Sequence, residues 1–439
     1  MAIDQARANR IFLPGTYAEG VPYELFRELR AEAPVCWVEE PAVGPWPAGP
    51  GYWAVLRHAD VKHVLRTPEL FSSHLGATQI RDPDTAADLD FARTMMLNQD
   101  PPEHSRLRRA VAAAFTPRAL RELTAAVEAR AEELVAGIAQ SGEVDAPFGE
   151  VDVVPIAADL PVWTLARILG VPEQDRALLV DWSNRVIGYQ DPDHAGSSTA
   201  DPTRLTAMGR DALGHRPADL TAPDGRPLNP RSRAALADMF AYAHALAEQP
   251  PPGSMVARMR EAGLSAAEFE TMFFLFAVAG NETLRNGLPG ALYSLLTNPD
   301  QYRLLRRRPE LTGSAVDELL RFWPPVVEFR RTATRDVVLA GRRISGGDKV
   351  VVYHASANRD ETVFPDPDRL DLTRTPNDHV SFGYGPHFCV GAQLARIQMA
   401  ALLRRIVAAW PEPELAPGPP PARLVSNFQN GLKELRVRR

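Results

Sequence analysis

The chain has 439 residues, of which 45% are hydrophobic and 24% are charged, and this balance excludes an intrinsically disordered protein. Its 55 acidic residues outnumber its 49 basic residues, and the net charge of −6 argues against a nucleic-acid binder that works by neutralising phosphates. Its two cysteines, Cys36 and Cys389, are too few for a disulfide scaffold or a multi-cysteine zinc site, and they indicate a reducing cytoplasm.

The N-terminal region contains no apolar stretch of the length that a signal peptide needs. The longest suggestive apolar run, Met272 to Ala279, is far shorter than the roughly 20 residues that span a bilayer. We therefore expect a cytoplasmic protein without a membrane anchor.

Two short apolar runs near the N-terminus, 34–39 and 51–57, are typical of strands, and the Gly/Pro-rich loop between them predicts a β-hairpin. This β-rich part extends over about 34–60. From about 102 to 322 the pattern is mostly helical. This helical body is expected to begin just after Asp100, whose side chain can cap a helix. The two prolines that follow are tolerated in the first turn of a helix.

A long helix is predicted from about Ser265 to Leu296. At 1.5 Å per residue it would be roughly 45 Å long, which is enough to cross the centre of the molecule. The segment 190–234 is polar and rich in Asp, Pro and Gly, and it fits a surface excursion better than core. We expect a lid over about 180–245.

After residue 328 the apolar residues begin to alternate and are interrupted by turn signals. This pattern predicts a small antiparallel meander over about 328–356. The predicted fold class is therefore mainly α with small β-sheets, in a single domain that spans residues 1–439.

The most informative segment is 381–391, where three glycines and a proline surround Cys389 and a strongly helical sequence follows. A cysteine just before a helix N-terminus is favoured as a thiolate by the helix dipole and by free backbone N–H groups. Three interpretations compete: an inert core cysteine, a nucleophile with His387 as its base, and a thiolate ligand to haem iron. No acid stands at a spacing that would orient His387, whereas a flat, glycine-lined approach suits a haem face.

At this loop the sequence resembles the cytochrome P450 family. The signature Phe-x-x-Gly-x-x-x-Cys-x-Gly is matched by Phe382, Gly385, Cys389 and Gly391. The resemblance covers about residues 20–435 and implies the cytochrome P450 fold, with its long central helix crossing over haem. It also implies haem b as the cofactor, Cys389 as the metal ligand, and Phe382 and Gly391 as haem-contacting residues.

His104 and Arg108 lie four residues apart and share one face of the first predicted helix of the body. By itself this spacing fits an ordinary surface pair. Haem, however, carries two propionates, and buried carboxylates need cationic or hydrogen-bonding partners. The resemblance implies that these propionates are bound by His104, Arg108, Arg331 and His387.

Glu318 and Arg321 also share one helix face, and their spacing alone fits a solvated surface pair. The resemblance makes them a Glu-x-x-Arg motif that binds an arginine in a later proline-rich segment, 364–370. Arg369 matches that partner, and Leu370 stands where the family usually has phenylalanine. These three charged residues are expected to form a structural brace behind the haem.

The middle of the predicted long helix reads Ala-Gly-Asn-Glu-Thr, residues 279–283. Gly280 weakens the helix, and Thr283 can bond a backbone carbonyl and distort it. Taken alone, this is a buried polar defect in a core helix. The family pattern Ala-Gly-x-acid-Thr implies instead an oxygen groove at Ala279 and Gly280, with Glu282 and Thr283 as the catalytic proton-delivery residues.

The resemblance implies a monooxygenase that inserts one oxygen atom from O₂ into a small molecule. Electrons must come from outside the chain, since nothing in it resembles a flavin or iron–sulfur domain. A ferredoxin and an NAD(P)H-dependent ferredoxin reductase are the expected partners. Arg106, Arg109 and Arg396 lie near the expected thiolate-side face, where they fit either an acidic partner or an ordinary solvated surface.

The expected substrate is apolar. The amino-acid sequences of 279–286, 328–336 and 426–435 are similar to those of actinobacterial members that hydroxylate sterols, terpenes and branched lipids. This similarity favours a terpenoid or steroid-like substrate. Two alternatives stay open: a biosynthetic tailoring oxidase for a polyketide, peptide or aromatic product, and a haem-binding recruiting protein without turnover. The residues expected to contact the substrate are Met96, Leu97, Phe276, Val327, Glu328 and Phe428.

Two features complicate the lipid interpretation. The insertion 196–231 is long and polar, and it predicts an altered roof over the pocket. Glu328 stands where an apolar or amide residue is commoner. It fits either a hydrogen bond to a polar substrate group or a surface ion pair with Arg330.

Overall fold

Helices dominate the structure, a computed structural model, and small sheets accompany them. The predicted fold class, mainly α with small β-sheets, is confirmed. The described residues are 4–140, 149–187, 190, 191, 193, 200–217, 221, 225 and 228–438.

The N-terminal part of the chain contains the predicted hairpin. Strand β1 (Val35–Val38) pairs antiparallel with β2 (Tyr52–Val55), and Val35 lies opposite Val55. The other elements of this part are α1 (Gln5–Asn9), α2 (Tyr23–Glu32), α3 (His58–Arg66), β3 (Phe71–Ser72) and α4 (Ala86–Arg93).

The helical body begins with α5 (Glu103–Ala112), but the predicted helix cap is wrong. The carboxylate of Asp100 accepts hydrogen bonds from the Ser72 hydroxyl and the Ser73 N–H, so it ties α5 to β3 instead. The elements that follow are α6 (Pro117–Gln140), β4 (Glu150–Asp152), α7 (Val154–Leu169), α8 (Arg176–Ile187), α9 (Ala207–Gly214), α10 (Ala237–Glu248) and α11 (Met255–Glu261).

The predicted long helix is α12 (Ala266–Leu296), whose 31 residues extend about 46 Å. Its start is fixed by a capping box: the Glu268 N–H donates to the Ser265 hydroxyl, and the Ser265 N–H donates to the Glu268 carboxylate at 2.9 Å. Helices α7, α8 and α10 pack along it, so α12 crosses the middle of the helical body.

The C-terminal part alternates helices and strands. Its helices are α13 (Pro299–Arg307), α14 (Thr312–Phe322), α15 (His354–Ala357) and α16 (Ala392–Ala409). Its strands are β5 (Glu328–Ala333), β6 (Val337–Leu339), β7 (Arg342–Ile344), β8 (Lys349–Tyr353), β9 (Glu414–Leu415) and β10 (Arg436–Arg438).

The prediction of one meander over 328–356 is wrong, because its strands belong to two sheets. Ala340 and Gly341, both with positive φ, close β6 and β7 into a separate two-stranded hairpin. Strands β5 and β8 pair with each other within the order β1-β2-β8-β5-β3. All five residues of β8 are buried, as expected for a central strand that is covered on both faces.

The predicted lid, 180–245, falls partly outside the described residues, as does the insertion 196–231. Within its described part lie α9 and sections of α8 and α10. No helix in the described ranges has the length and apolarity that a bilayer span requires.

Candidate active site

A cavity of about 250 Å³ is lined by both α12 and the loop that carries Cys389. Ala279 and Gly280 are exposed although their neighbours Val278 and Asn281 are buried, because they face this cavity. The predicted residues that line it are Met96, His104, Arg108, Phe276, Ala279, Gly280, Thr283, Arg331, Phe382, His387, Cys389 and Gly391, together with Leu97.

The cysteine loop is held by its own backbone and by α3. The Cys389 N–H donates to the Phe382 carbonyl at 2.9 Å. Gly385 has a φ of +71°, and a Cβ there would lie 2.7 Å from the Leu65 carbonyl oxygen, so the close approach to α3 requires glycine. A Cβ on Gly391 would lie 4.0 Å from the Cys389 sulfur, which is an ordinary contact distance, so packing within the chain does not itself require glycine at 391.

The Cys389 side chain is exposed into the cavity, but its thiol is not activated by the helix terminus alone. Burial raises the pKa of the thiol, although the Gly391 N–H and the charges of Arg108 and Arg396 act in the opposite direction. The position of Cys389 before a helix N-terminus is therefore not enough by itself to ionise the thiol. A bound metal ion deprotonates a coordinating thiol outright, so this sulfur suits a metal ligand.

His387 is not placed to act as a base for Cys389. Its ring hydrogen-bonds the Ser73 hydroxyl at 3.3 Å and packs on the His104 ring, with centroids 4.2 Å apart. In the described part of the chain no hydrogen bond joins it to the cysteine. The nucleophile interpretation has no geometric support.

The four residues predicted to bind the propionates, called the clamp residues below, are His104, Arg108, Arg331 and His387. All four line the cavity, and no carboxylate of the described residues accepts a hydrogen bond from their side chains. Arg108 donates to the Phe388 carbonyl at 2.7 Å, and Arg331 donates to the Arg330 carbonyl at 2.8 Å. The buried Nδ1 atom of His104 has no hydrogen-bond partner among the described residues. A negatively charged group in the cavity would supply what these donors lack.

The pKa values of the clamp residues show the same deficit of negative charge. Burial lowers the pKa of Arg331 to about 10. Burial, and then the charge of Arg108, lowers the pKa of His104 to about 4. The pKa of His387 falls well below its ordinary value, through burial and then the charge of Arg331. Two haem propionates fit this set of donors in number and in charge.

Glu318 and Arg321 form a fully buried bidentate pair, not a surface pair. Both of their hydrogen bonds measure 2.8 Å, and both side chains are 0% exposed. Arg321 also donates to the carbonyls of Asn358 and Pro367, so its charge is fully hydrogen-bonded.

The prediction of Arg369 as the third member of this brace is wrong. Arg369 contributes only its carbonyl oxygen, to Arg321 at 3.2 Å, and its side chain is exposed. Because the loop turns its carbonyls toward Arg321, the side chain at 369 points outward. Arg374 approaches Glu318 instead, with its Nε atom 3.2 Å from the carboxylate.

The middle of α12 combines a close helix contact with two polar side chains. A Cβ on Gly280 would lie 3.1 Å from Leu165, so glycine lets α7 pack closely here. The Thr283 hydroxyl donates to the Ala279 carbonyl at 3.0 Å, as predicted. Glu282 is buried and pairs with Arg285 at 3.0 Å.

A second cavity, of about 170 Å³, lies next to the first along α12 and shares six lining residues with it. Glu282 and Phe428 line it, and residues of the described insertion and lid, including Asn229 and Arg231, contribute to its wall. Described residues of the insertion 196–231 thus reach the wall of this cavity, and the altered roof stays a prediction. The residues that line both cavities are Leu97, Leu275, Ala279, Thr283, Val326 and Phe329.

The prediction that Val327 contacts the substrate is wrong. Val327 is 0% exposed and packs in the N-terminal core, with its N–H donating to the Phe428 carbonyl at 2.9 Å. Its neighbour Val326 lines both cavities. An isolated bridge between Val326 and Gln429 sets the orientation of the chain just before β5 begins.

Glu328 lines neither cavity, and its predicted surface pair with Arg330 is also wrong. Arg330 instead donates to Asp82 and to the Ile80 carbonyl. Glu328 is 1% exposed, and its Oε2 atom has no hydrogen-bond partner among the described residues. Burial raises the pKa of this carboxyl to about 8, against the charges of Arg231 and Arg330.

The strand period could have identified one residue that the sequence analysis missed. Alternate residues of β5 face the same side, so the predicted placement of Arg331 in the clamp implies that Phe329 faces the cavity too. It also places Glu328 and Arg330 on the other face. No comparable signal marked Arg374 or His354, which also lines the first cavity.

Comparison with known proteins agrees with this geometry. The Cytochrome P450 family model matches residues 254–411. Steroid C26-monooxygenase of Rhodococcus jostii is 35% identical over 97% of this chain and 83% of its own length. Linalool 8-monooxygenase of Pseudomonas putida is 34% identical over 97% of each chain.

Two solved structures share the fold over their full length. A cytochrome P450 of Mycobacterium marinum in complex with pseudoionone has a TM-score of 0.78 and 31% identity, covering 100% of this chain and 99% of its own. A Bacillus megaterium structure in complex with testosterone has a TM-score of 0.76 and 29% identity, with the same coverage. This chain therefore belongs to the cytochrome P450 family and is a monooxygenase that uses haem b and O₂.

Proposed function

We propose that this monooxygenase inserts one oxygen atom into a terpenoid or steroid-like lipid in the cytoplasm, with electrons from NAD(P)H delivered by a ferredoxin and its reductase. The observation that carries the proposal is the junction of two cavities at Thr283, one suited to haem and the other largely apolar. The named relatives act on a steroid and on linalool, and the solved neighbours hold testosterone and pseudoionone.

The first cavity would hold haem b, which supplies an iron centre that activates O₂. The Cys389 sulfur would be the metal ligand. The residues Phe382, Ala279, Gly280 and Gly391 would lie against the porphyrin, and the clamp residues His104, Arg108, Arg331 and His387 would receive its propionates.

The buried pair Glu318 and Arg321 would brace the loop that carries Cys389. Glu318 accepts hydrogen bonds from Arg321, Arg374 and Asn377, and from the Asp371 N–H. These bonds join α14 to the segment that leads into the cysteine loop. We propose that the brace acts structurally, through the position of Cys389, and not through contact with substrate.

Two residues of α12 would move protons. Thr283 places its hydroxyl at the junction of the cavities, where it can hold a proton beside the oxygen groove. Glu282 pairs with Arg285, which also donates to Asn184 of α8. These contacts hold the Glu282 carboxylate in place one residue before Thr283, where it would act as the group that gives and takes protons.

The second cavity would hold the substrate against this junction. Its apolar wall includes Val326, Phe329, Leu275 and Phe428, which would exclude water from the reacting carbon. Polar side chains such as Gln79 and Arg231 also line it. A mainly apolar molecule with a polar group fits this distribution.

The proposal of a ferredoxin rests on the need for outside electrons more than on the predicted arginines. Arg106 forms salt bridges with Glu103 and Glu268, and Arg396 forms one with Asp317 at 2.8 Å. Both arginines are therefore already paired with carboxylates of this chain. Arg109 is exposed on α5. We propose Arg109 as the docking residue of the three.

A spectral titration of the haem-loaded protein tests the substrate class. Terpenes and steroids should displace the iron-bound water and shift the Soret band at lower concentrations than polyketides, peptides or aromatic metabolites. The reverse ranking would support the tailoring alternative. A titrated ligand should then give an oxygenated product with a surrogate ferredoxin, reductase and NADH, and the absence of any product would support the recruiting alternative.

The assignment of Thr283 is tested by Thr283→Ala in the same assay. The variant should lose at least about tenfold in product formed per NADH consumed, since general acid contributions typically exceed this. Thr297→Ala is the matched control. The Thr297 hydroxyl also donates to the carbonyl four residues earlier, that of Tyr293, but it lies at the exposed C-terminal end of α12. Unchanged product yield in Thr283→Ala would show that the assignment is wrong.

A further inference from the structure

His354 is a buried histidine that the clamp described above does not use. It opens α15 directly after β8 and is 1% exposed. In the described part of the chain, neither of its ring nitrogens has a hydrogen-bond partner. A buried polar group left without a partner is destabilising, so the two nitrogens point to a partner that the described residues do not supply.

The open space next to His354 is the haem cavity and not the substrate cavity. The residue lines the first cavity, together with Cys389 and Arg331, and it is absent from the lining of the second. Its ring contacts the ring of Phe329, with centroids 5.7 Å apart. A partner for its nitrogens therefore enters from the cavity that Cys389 faces.

The charged neighbour of His354 is Arg331. Burial, and then the charge of Arg331, lowers the pKa of His354 to about 3, so its ring is neutral and offers one N–H donor. The Arg331 guanidinium has donors only, and its one hydrogen bond among the described residues goes to the Arg330 carbonyl. Both side chains lack an acceptor on the cavity side, and one carboxylate would satisfy both.

We propose that His354 is a fifth donor to the haem propionates and acts beside Arg331 from the end of β8. The charges agree with this assignment. Arg108 and Arg331 supply two positive charges for two propionates, whereas His354 adds a hydrogen bond without adding a charge. The inference rests on the haem that the family membership establishes, and it is independent of the proposed substrate.

Haem transfer to excess apomyoglobin tests the proposal without any turnover. His354→Phe keeps a planar ring of similar size and removes the donor, so the ferric protein should lose haem at least about tenfold faster, as expected for one hydrogen bond to a charged group. The propionate bending band in the resonance Raman spectrum should shift. His354→Gln keeps an N–H donor and should restore most of the slow transfer.

His244→Phe serves as the control, since His244 pairs with Glu270 and does not line the haem cavity. Its transfer rate and Raman band should equal those of the parent protein. A folded His354→Phe variant with parental transfer rate and parental Raman band would overturn the proposal. So would a variant that changes only the substrate-induced Soret shift, because that result would place the ring against substrate. If His354→Phe does not fold, parental transfer and an unshifted band in His354→Leu would overturn it equally.

Discussion

The two cavities that meet at Thr283 differ in how they are built. The predicted residues of the first cavity belong to motifs of fixed spacing, such as His104 and Arg108, because a haem bound there would present one metal and two carboxylates. The second cavity is lined by Val186 and by segments with no common spacing, 77–98, 229–236, 271–283, 326–329 and 428–429. A sequence therefore shows the reaction type more clearly than the molecule on which the reaction acts.

The largest expected effect comes from removing the sulfur that defines the haem cavity. Cys389→Ala should abolish the thiolate-type carbon monoxide spectrum of the reduced protein and all monooxygenase activity, because no other thiol of the chain lines this space. Cys36→Ala is the control: Cys36 is 2% exposed within β1 and should leave the spectrum unchanged. A thiolate-type spectrum that survives in Cys389→Ala would show that the haem lies elsewhere.

The next effect separates two arginines of one loop. Arg374→Ala should destabilise the folded protein by about 3 kcal/mol, because it removes one partner of the fully buried Glu318 carboxylate. Arg369→Ala removes an exposed side chain and should change stability by no more than about 0.5 kcal/mol. Denaturant unfolding of both variants measures the difference, and a larger loss in Arg369→Ala would restore the sequence-based assignment.

These two arginines also show where prediction from sequence ends. The bounds of α12 were predictable to one residue, since a helix has a period and its start has a capping box. Glu318 and Arg321 were predictable from the family motif, because their spacing places them on one helix face but by itself fits a surface pair equally well. Loops have no such period, so nothing in the sequence distinguishes Arg369 from Arg374 as the one that turns inward.

Side chains of a strand alternate between its two faces, but this alternation assigns residues to the cavity only when the face of one residue is already known. Arg331 supplies that reference for β5, and it correctly places Phe329 at the cavity and Glu328 away from it. Val326 and Val327 precede the strand, where the alternation no longer holds. His354 carried no signal in sequence, because a single histidine shows its missing partners only when the surrounding atoms are known.

Glu328 gives the third prediction, since it lies behind the wall of the second cavity. Burial raises the pKa of its carboxyl to about 8, whereas the unfolded chain releases this proton near its ordinary value of 4.5. The folded state therefore binds more protons between these values, and stability falls as pH rises, by up to about 1.4 kcal/mol per pH unit. Glu328→Gln cannot ionise and removes this loss.

Thermal unfolding at about pH 5 and at about pH 8 tests this linkage. The Tm of Glu328→Gln should exceed that of the parent protein by a margin that is small at the lower pH and grows toward the higher pH. Glu122→Gln, on the exposed face of α6, should show no such growth. A gap that shrinks with rising pH would mean that Glu328 is ionised in the folded protein and that its charge is stabilised by Arg231.

The smallest expected effect compares Val326 and Val327. Val326→Ala enlarges a space that already exists, so it should cost less than about 1 kcal/mol while changing the dissociation constants of bulky ligands and the ratio of products. Val327→Ala creates a void in the N-terminal core and should cost about 2 kcal/mol with ligand binding unchanged. The two residues differ by one position and have the same side chain, so only the direction in which the backbone presents each valine can separate their effects. If Val327→Ala changed the products and Val326→Ala did not, the segment before β5 would enter the cavity with the opposite face, and the substrate wall assigned to the second cavity would be wrong at that point.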